Sequence, residues 1–490
     1  MATAGTPPAP SYQRTRFLIL RLLGIIYFVA FLILLRQGDA LIGHAGLLPY
    51  NRFLDHVLAA SESRADAVLA LPTLFWLDAS DAALHAVAWI GLVLSAAVVL
   101  GLTNALAQLV LWALYLSVLQ VGQLFWGYGW ETQLAETGFL AIFLCPLGSI
   151  RPFPARDAPV VVIWLFRWLI VRIMLGAGLI KLRGDPCWRD FTCLVYHYET
   201  QPVPNPLSWW LNAMPRWVHV AGVAFNHAVE LAAPFLVVGP RRARVVAGWL
   251  FVAFQTTLIL SGNLSFLNWL TIVPALACFD DRTLGRRDGA PPGSPAHRAT
   301  AIALACLVAV LSVNPVANLL SPHQAMNRSF DPLHLVNTYG AFGSIGRERD
   351  EVIIEGTSDA RVGPETEWRA YELPCKPGDV ARRPCVVAPY HYRLDWQLWF
   401  AAMSTANREP WLLRVVDRLL RGDRDVKTLF ANDPFPDAPP RFIRILRYRY
   451  RFTRPGDGSP DWWTRTLVGA YLRPVDRDDR LLRAIVDAYD

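Results

Sequence analysis

The chain has 490 residues, of which 53% are hydrophobic and 18% charged, with a mean hydropathy of +0.28. A soluble domain of this length rarely joins so many apolar residues to so few charges, and the long apolar runs define an integral membrane protein. The net charge of +7 sits largely on arginines in short loops and comes with no recognition motif, which excludes nucleic acid as a partner.

In chain order, a polar N-terminus ending in Arg14 and Arg16 leads into 17–35, long enough to span a bilayer and longer than a signal-peptide core. A mixed segment, 37–81, follows; within it 65–76 reads as an interfacial or re-entrant helix. Further spans are expected at 82–102, 105–125, 134–147, 159–180, 218–238, 245–260, 270–279 and 301–320. The fold expected is therefore a polytopic all-α bundle of about nine spans over 1–320, with a structured outside loop at 181–216. Residues 321–490 hold no segment long enough to cross and read as an extramembrane α+β domain weighted to β. There, 350–355 and 383–388 read as strands. Residues 442–452 alternate apolar or aromatic residues with arginine, a half-buried strand with one basic face. Residues 411–420 and 481–488 have helical spacing.

Arginine placement orients the chain. With the N-terminus inside, Arg14, Arg16, Arg151, Arg156, Arg241, Arg242, Arg244, Arg282, Arg286, Arg287 and Arg298 all fall on the inner side. The central loop and the C-terminal domain then lie outside. Of seven cysteines, Cys145, Cys278 and Cys306 lie in apolar spans and read as packing residues. Cys187 with Cys193 and Cys375 with Cys385 form close pairs in outside segments. Two disulfides suit an oxidising compartment, although four cysteines allow three pairings.

The densest stretch is 176–210. Lys181, Arg183 and Asp185 stand where a span leaves the bilayer, followed by Trp188, His197, Tyr198, Glu199 and several prolines. Ionisable groups inside spans are expensive there. They are Glu136, Arg167, Arg172 and the pair His227 and Glu230, three apart on one helix face. Two readings are open. Lys181, His227 and Glu230 shift protons in a polar cavity of the outer half, or the charges only pair between helices, as in Arg172 with Glu230. Arg167 is expected to snorkel towards the inner surface. Cys187, Cys193 and His197 fit no zinc spacing and lack a fourth ligand, so no metal is assigned, and no residue demands a cofactor. Asn263 and Asn268 read as turn and capping residues. Tyr390, His391, Arg393, Asp395 and Trp396, with Asn337, Tyr339, Gly340 and Arg347, form either an outside binding surface or a set of buried structural aromatics. Hydrolase and nucleotide-binding motifs are absent from the sequence.

The stretch 176–210, GAGLIKLRGDPCWRDFTCLVYHYETQPVPNPLSWW, resembles the signature of the lipase maturation factor family. SGNLSFLNWLTIVPAL from Ser261, NTYGAFGSIGRERDEVIIEGT from Asn337, WRAYELPCKPGDVARRPCVVAPYHYRLDWQLWFAA from Trp368 and NDPFPDAPPRFIRILRYRYRF from Asn432 resemble later blocks of that family, in its order. The resemblance implies a protein of the endoplasmic reticulum membrane whose outside domain engages secreted lipases and promotes their active homodimers. It points to 337–356 and 368–402 as client-facing and to 176–210 as a membrane-adjacent clamp. In a bacterial member the outside is the periplasm and the clients are other exported proteins. Membrane lipid is the other partner. The bundle is also loosely similar to that of vitamin K-dependent γ-glutamyl carboxylase. That implies the alternative of a membrane enzyme with Lys181, His227 and Glu230 as acid/base groups.

Overall fold

The structure is a computed structural model that describes residues 10–285 and 291–489. Arg286 and Arg287 of the inner linker lie outside the described residues.

Among the described residues, five helices are long and apolar enough to cross a membrane. They are α1 (Gln13–Ile42), Asp81–Leu100, Val160–Arg183, Arg241–Ser261 and Pro295–Leu320. About nine spans are expected from the sequence, and these five are the helices that reach the length and hydropathy of a span. The other four stretches are shorter or broken. Ala105–Val121, Gly129–Ile142 and Leu267–Ala275 stop early, and 216–236 is interrupted. Small residues let the helices approach closely. On Asp81–Leu100, a Cβ built on Gly91 would sit 2.4 Å from the Phe31 ring of α1. The segment 65–76 is not one helix but Arg64–Ala70 and a 3-10 turn, Leu74–Trp76.

The inner end of the bundle is tied by carboxylates. The N-terminal residue of α1 has no side-chain cap. Instead, Tyr12 donates its N–H to Asp157, and the N–H groups of Gln13 and Arg14 reach Asp281 at 2.9 and 2.8 Å. These donors have no partner inside the helix, and a negative charge at that end also suits the helix dipole. Asp280 pairs with Arg241 at 2.7 Å and Arg244 at 3.3 Å. Burial works to raise the Asp280 carboxyl, but the Arg241 and Thr283 hydrogen bonds outweigh it and hold the group at about 2. Arg151 and Arg156 lie on the same end, Arg156 accepting from Arg16.

The C-terminal domain packs on the opposite end. Its antiparallel sheet has the order β2-β1-β3-β4, with β1 Arg349–Thr357, β2 Arg369–Ala370, β3 Phe442–Phe452 and β4 Trp463–Asp476. Helices Arg393–Ala402 and Pro410–Leu420 pack on it and Arg480–Tyr489 completes the domain. Strands β1 and β3 lie where the sequence pattern puts them. Residues 383–388 do not form a strand. Pro384 lies within the segment and Pro389 follows it, and the Asn263 carboxamide oxygen takes the N–H groups of Val387 and Ala388 at 2.9 and 3.1 Å. Cys187 pairs with Cys193 and Cys375 with Cys385. Cys145 and Cys278 are buried, whereas Cys306 is exposed on its apolar helix.

Candidate functional site

The ionisable groups singled out inside spans, Glu136, Arg167, Arg172, His227 and Glu230, together with Lys181 at a span end, each have a partner. Lys181 lies on the last turn of Val160–Arg183. Its Nζ is 2.5 Å from Glu230 Oε1 and 3.0 Å from Asn226 Oδ1, and Asn226 Nδ2 donates to Glu230 Oε2 at 2.9 Å. Lys181 also stands 5.0 Å from the Trp188 ring centroid, a cation–π contact. The helix that supplies Glu230 changes register to do so. Arg216–His227 runs into a π-helical turn, Ala228–Ala232, before Ala233–Leu236. Pro234 has no N–H to give to the Glu230 carbonyl, so the α ladder fails there. His227 turns elsewhere, its Nε2 lying 3.0 Å from the Trp188 carbonyl. The expected trio of Lys181, His227 and Glu230 is thus a pair plus Asn226. The expected Arg172–Glu230 pair does not form. Arg167 heads for the inner end but stays buried, bonding Ala277 O at 2.8 Å and Tyr12 Oη at 2.9 Å.

Arg172 instead pairs with Glu136, and this node fastens the two domains. One Glu136 oxygen accepts from the Asn337 N–H at 3.0 Å, the Asn337 side chain at 3.2 Å and the Tyr339 hydroxyl at 2.7 Å. Arg172 donates to the Asn337 carbonyl at 2.7 Å. Close approach is possible because Gly176 has no side chain; a Cβ there would lie 2.2 Å from the Tyr339 carbonyl oxygen.

A second node centres on Arg393. It pairs with Glu131 at 2.9 Å and lies 3.9 Å from the Trp126 ring centroid. Gln37, at the outer end of α1, accepts from the Arg393 N–H at 3.0 Å and donates to the His391 carbonyl at 2.8 Å and the Tyr390 hydroxyl at 3.1 Å. The His391 ring packs against Tyr128, Trp130 and Trp396. Burial, then the nearby Arg393 charge, pushes its pKa well down, so the ring is neutral.

The central loop forms the third tie. Arg349, at the start of β1, donates to the carbonyls of Glu199 at 2.8 Å and Pro202 at 3.0 Å, and pairs with buried Glu351 at 2.6 Å. Glu199 accepts from the Phe452 N–H at 2.8 Å. Asp185 pairs with Arg347 at 2.8 Å, and Trp188 donates to the Phe342 carbonyl at 2.8 Å. Tyr198 and His197 are buried beneath, and burial plus the Lys181 charge hold His197 at about 4. Asp395 accepts from the N–H groups of Cys375 and Lys376 at 2.8 and 2.7 Å, and its burial raises it to about 6.

These positions resolve the alternative left open for the aromatic and charged cluster. Asn337, Tyr339, His391, Arg393, Asp395 and Trp396 are buried. Tyr390 is half-buried and Arg347 exposed. The buried and half-buried members form an internal seam: Asn337, Tyr339, Tyr390 and Arg393 bond across the domain junction, whereas Asp395 is held by Cys375 and Lys376 of its own domain and His391 packs through its ring. Sequence reading missed Gln37, Glu131 and the clamping role of Asn263. A buried polar residue at a span end was the available signal for the first two.

Two adjoining cavities lie beneath the seam. The larger, ≈ 490 Å³, is walled by Tyr128, Trp130, Gln133, Trp396, Trp399 and Phe400. The smaller, ≈ 120 Å³, contains Lys181, Asn226, Glu230, Gln255, Asn268 and Thr271. They share Ile173, Ala177, Leu267, Ala341 and Phe342.

The fold and seam define a polytopic membrane protein whose extramembrane domain is locked onto one end of its helical bundle. The family model for the lipase maturation factor transmembrane domain matches residues 14–286, and that for the lipase maturation factor C-terminal domain matches residues 335–473. Similarity to named proteins runs nearly end to end. The chain is 47% identical to Lipase maturation factor 1 of Bos taurus, over 96% of this chain and 90% of that protein. It is 45% identical to the Homo sapiens protein of that name, over 97% and 92%, and 29% identical to Lipase maturation factor 2 of Rattus norvegicus, over 96% and 84%. The chain belongs to the lipase maturation factor family. No solved structure matches it.

Proposed function

We propose that this chain promotes the folding and assembly of secreted lipases, acting from the membrane through its extramembrane domain. The observation that carries this reading is continuity. The Bos taurus and Homo sapiens relatives named for lipase maturation align with 96–97% of this chain, both domains and the junction included, over 90–92% of their own length. The domain faces the lumen of the endoplasmic reticulum, or the periplasm in a bacterium. Support comes from the inner end, where Arg14, Arg16, Arg156, Arg241 and Arg244 gather away from the domain. The four shorter helices complete about nine traverses, since each connects residues at the inner end with residues at the outer one.

The seam residues Asn337, Tyr339, Tyr390, His391, Arg393, Asp395 and Trp396 serve the client indirectly, by fixing the domain. Direct contact falls to exposed groups, namely Arg347 and the edge strand β4, where Leu467 and Val468 are 59% and 51% exposed. An edge strand offers unpaired backbone groups to an incompletely folded chain. Lys181, Asn226 and Glu230 satisfy one another and act as structure. The test is lipase activity per mass of secreted lipase in cells lacking the protein. Wild type is expected to restore it, Leu467→Asp/Val468→Asp to restore less at equal abundance. Equal lipase activity with and without the wild-type protein would remove lipases as clients.

A further inference from the structure

We propose that the open edge of β4 takes a client segment as an added antiparallel strand, and that the segment it fits carries an acidic residue two places from an aliphatic one. This deepens the client role proposed for the domain and rests on it for what the partner is. The pairing pattern shows which backbone groups are free. Residues of an antiparallel strand turn their N–H and C=O groups alternately towards one neighbour and the other. Trp462 gives its carbonyl to the Thr453 N–H at 3.1 Å, on the β3 side, and the Trp463 N–H turns the other way, to the Val380 carbonyl at 3.1 Å. Along the register Trp463 with Phe452, Arg465 with Tyr450 and Leu467 with Tyr448, Arg465 and Leu467 therefore direct their backbone groups away from β3. No group among the described residues takes them. Val468 is the extra residue of a bulge, because Leu467 faces Tyr448 and Gly469 faces Arg447.

One end of this edge is already closed, by Val380 and by the Trp209 ring 4.8 Å from that of Trp462. Val380 thus shows, over one residue, how an extended segment covers the edge. Residues 464–468 beyond it are all exposed. Arg465 does not guard them, since its guanidinium lies back over the Tyr448 ring at 4.6 Å and donates to the Tyr450 hydroxyl at 3.2 Å. Side chains select the guest. Residues opposite one another on paired strands share a face of the sheet. The guest residue opposite Arg465 therefore meets a guanidinium, and the one opposite Leu467 meets an exposed leucine. Arg444 and Arg449 of β3 pair with Glu355 and Asp350, whereas Arg465 and its neighbour Arg451, both exposed, form no ion pair among the described residues. An acidic side chain supplies the missing partner, and a basic one is repelled.

The experiment measures the fluorescence anisotropy of a labelled peptide, Thr-Val-Thr-Glu-Thr-Val-Thr, with the full-length protein in detergent. Its symmetry about Glu sets a Val beside Leu467 when Glu meets Arg465. Saturable binding is expected. The analogue with Lys in place of Glu should bind about 3–10-fold more weakly, and Arg465→Glu should reverse that preference. The analogue N-methylated at Glu and both Val has no N–H to give to the edge and should not bind saturably. Leu467→Pro removes an outward N–H that β3 does not use, so it should weaken the peptide while the melting temperature shows the fold retained. If that variant does not fold, the peptide series on the wild type decides. No saturable binding, equal binding of the N-methylated analogue, or a Lys peptide that binds as well as the Glu peptide overturns the proposal. No lipase is present, so peptides that fail while the wild type restores lipase activity overturn the edge alone. Peptides that bind while lipase activity is indifferent to the protein uphold the edge and remove the lipase client.

Discussion

At the scale of single residues, buried charge is the dominant design problem, and partner choice decides its sign. Lys181 and Glu230 are 5% and 4% exposed at their side chains. Removing one partner leaves the other buried and unpaired, a loss of about 3–5 kcal/mol, whereas replacing both by apolar groups is often neutral. Lys181→Met or Glu230→Leu alone should therefore lower the melting temperature in detergent sharply, and the double variant should recover most of the loss. A double variant as damaged as the sum of the singles would show that the two do not act as a pair. Asp395 poses the same problem in titratable form. Its folded-state value, about 6, lies above the ordinary 3.8, so folding favours its protonated form. The penalty is absent below about pH 4, grows between about pH 4 and 6, and is fully present above 6. Asp395→Asn should be more stable than wild type at pH 7.5, by on the order of 3 kcal/mol, and equal to it near pH 4. Melting at the two pH values checks this. The sequence made Lys181, Glu136, Arg172 and Glu230 conspicuous, because charge inside an apolar run needs an explanation. It did not reveal who pairs with whom. The π turn before Pro234 rotates His227 away from Glu230, and no spacing rule for a regular helix anticipates that.

Among the elements, legibility followed amphipathic contrast. Strand β3 and helix Pro410–Leu420 each carry one apolar and one charged face in sequence, and both lie where periodicity puts them, although nearly all of the helix is buried. Strand β4 was invisible for the opposite reason. Its residues 464–468 are exposed on an outer edge, so no alternation marks them. Arg393–Ala402 was also missed as a helix, because its Arg, Asp and Gln point into the seam and break the expected pattern. Short bundle helices blur span counting, since segments of 9–17 residues pass as spans by hydropathy alone. The close pass at Gly176 gives this scale its prediction. In an exposed helix, Gly→Ala stabilises by about 1 kcal/mol. Here the added carbon meets the Tyr339 carbonyl, which is backbone and cannot rotate aside. Gly176→Ala should instead destabilise and loosen the junction, read as faster proteolytic release of the C-terminal domain. Unchanged or slower cleavage would show that the junction gives way without loss.

For the whole molecule, the central claim is polarity. Loops rich in arginine gather at one end of the bundle, and the β domain and both cysteine pairs gather at the other. This was the most legible large-scale feature, because the positive-inside rule reads loops and not helices, so it survives an error in the span count as long as the parity holds. Five long helices are an odd number, which leaves the β domain opposite the N-terminus. Single substitutions can report on the two ends with one chemistry. Pro364→Asn creates an Asn-Glu-Thr glycosylation acceptor on an exposed loop of the β domain, and Leu147→Asn creates Asn-Gly-Ser on the inner loop, where Leu147 is 79% exposed. The natural Asn327-Arg328-Ser329 acceptor is first removed by Asn327→Gln, and that form is the baseline, which also accounts for the natural Asn263-Leu264-Ser265 sequence, where Asn263 is buried. Translated into microsomes, the Pro364→Asn form should gain a glycan that endoglycosidase removes, and the Leu147→Asn form should not. A glycan on Leu147→Asn would invert the molecule, placing the β domain on the cytosolic face and out of reach of any secreted client.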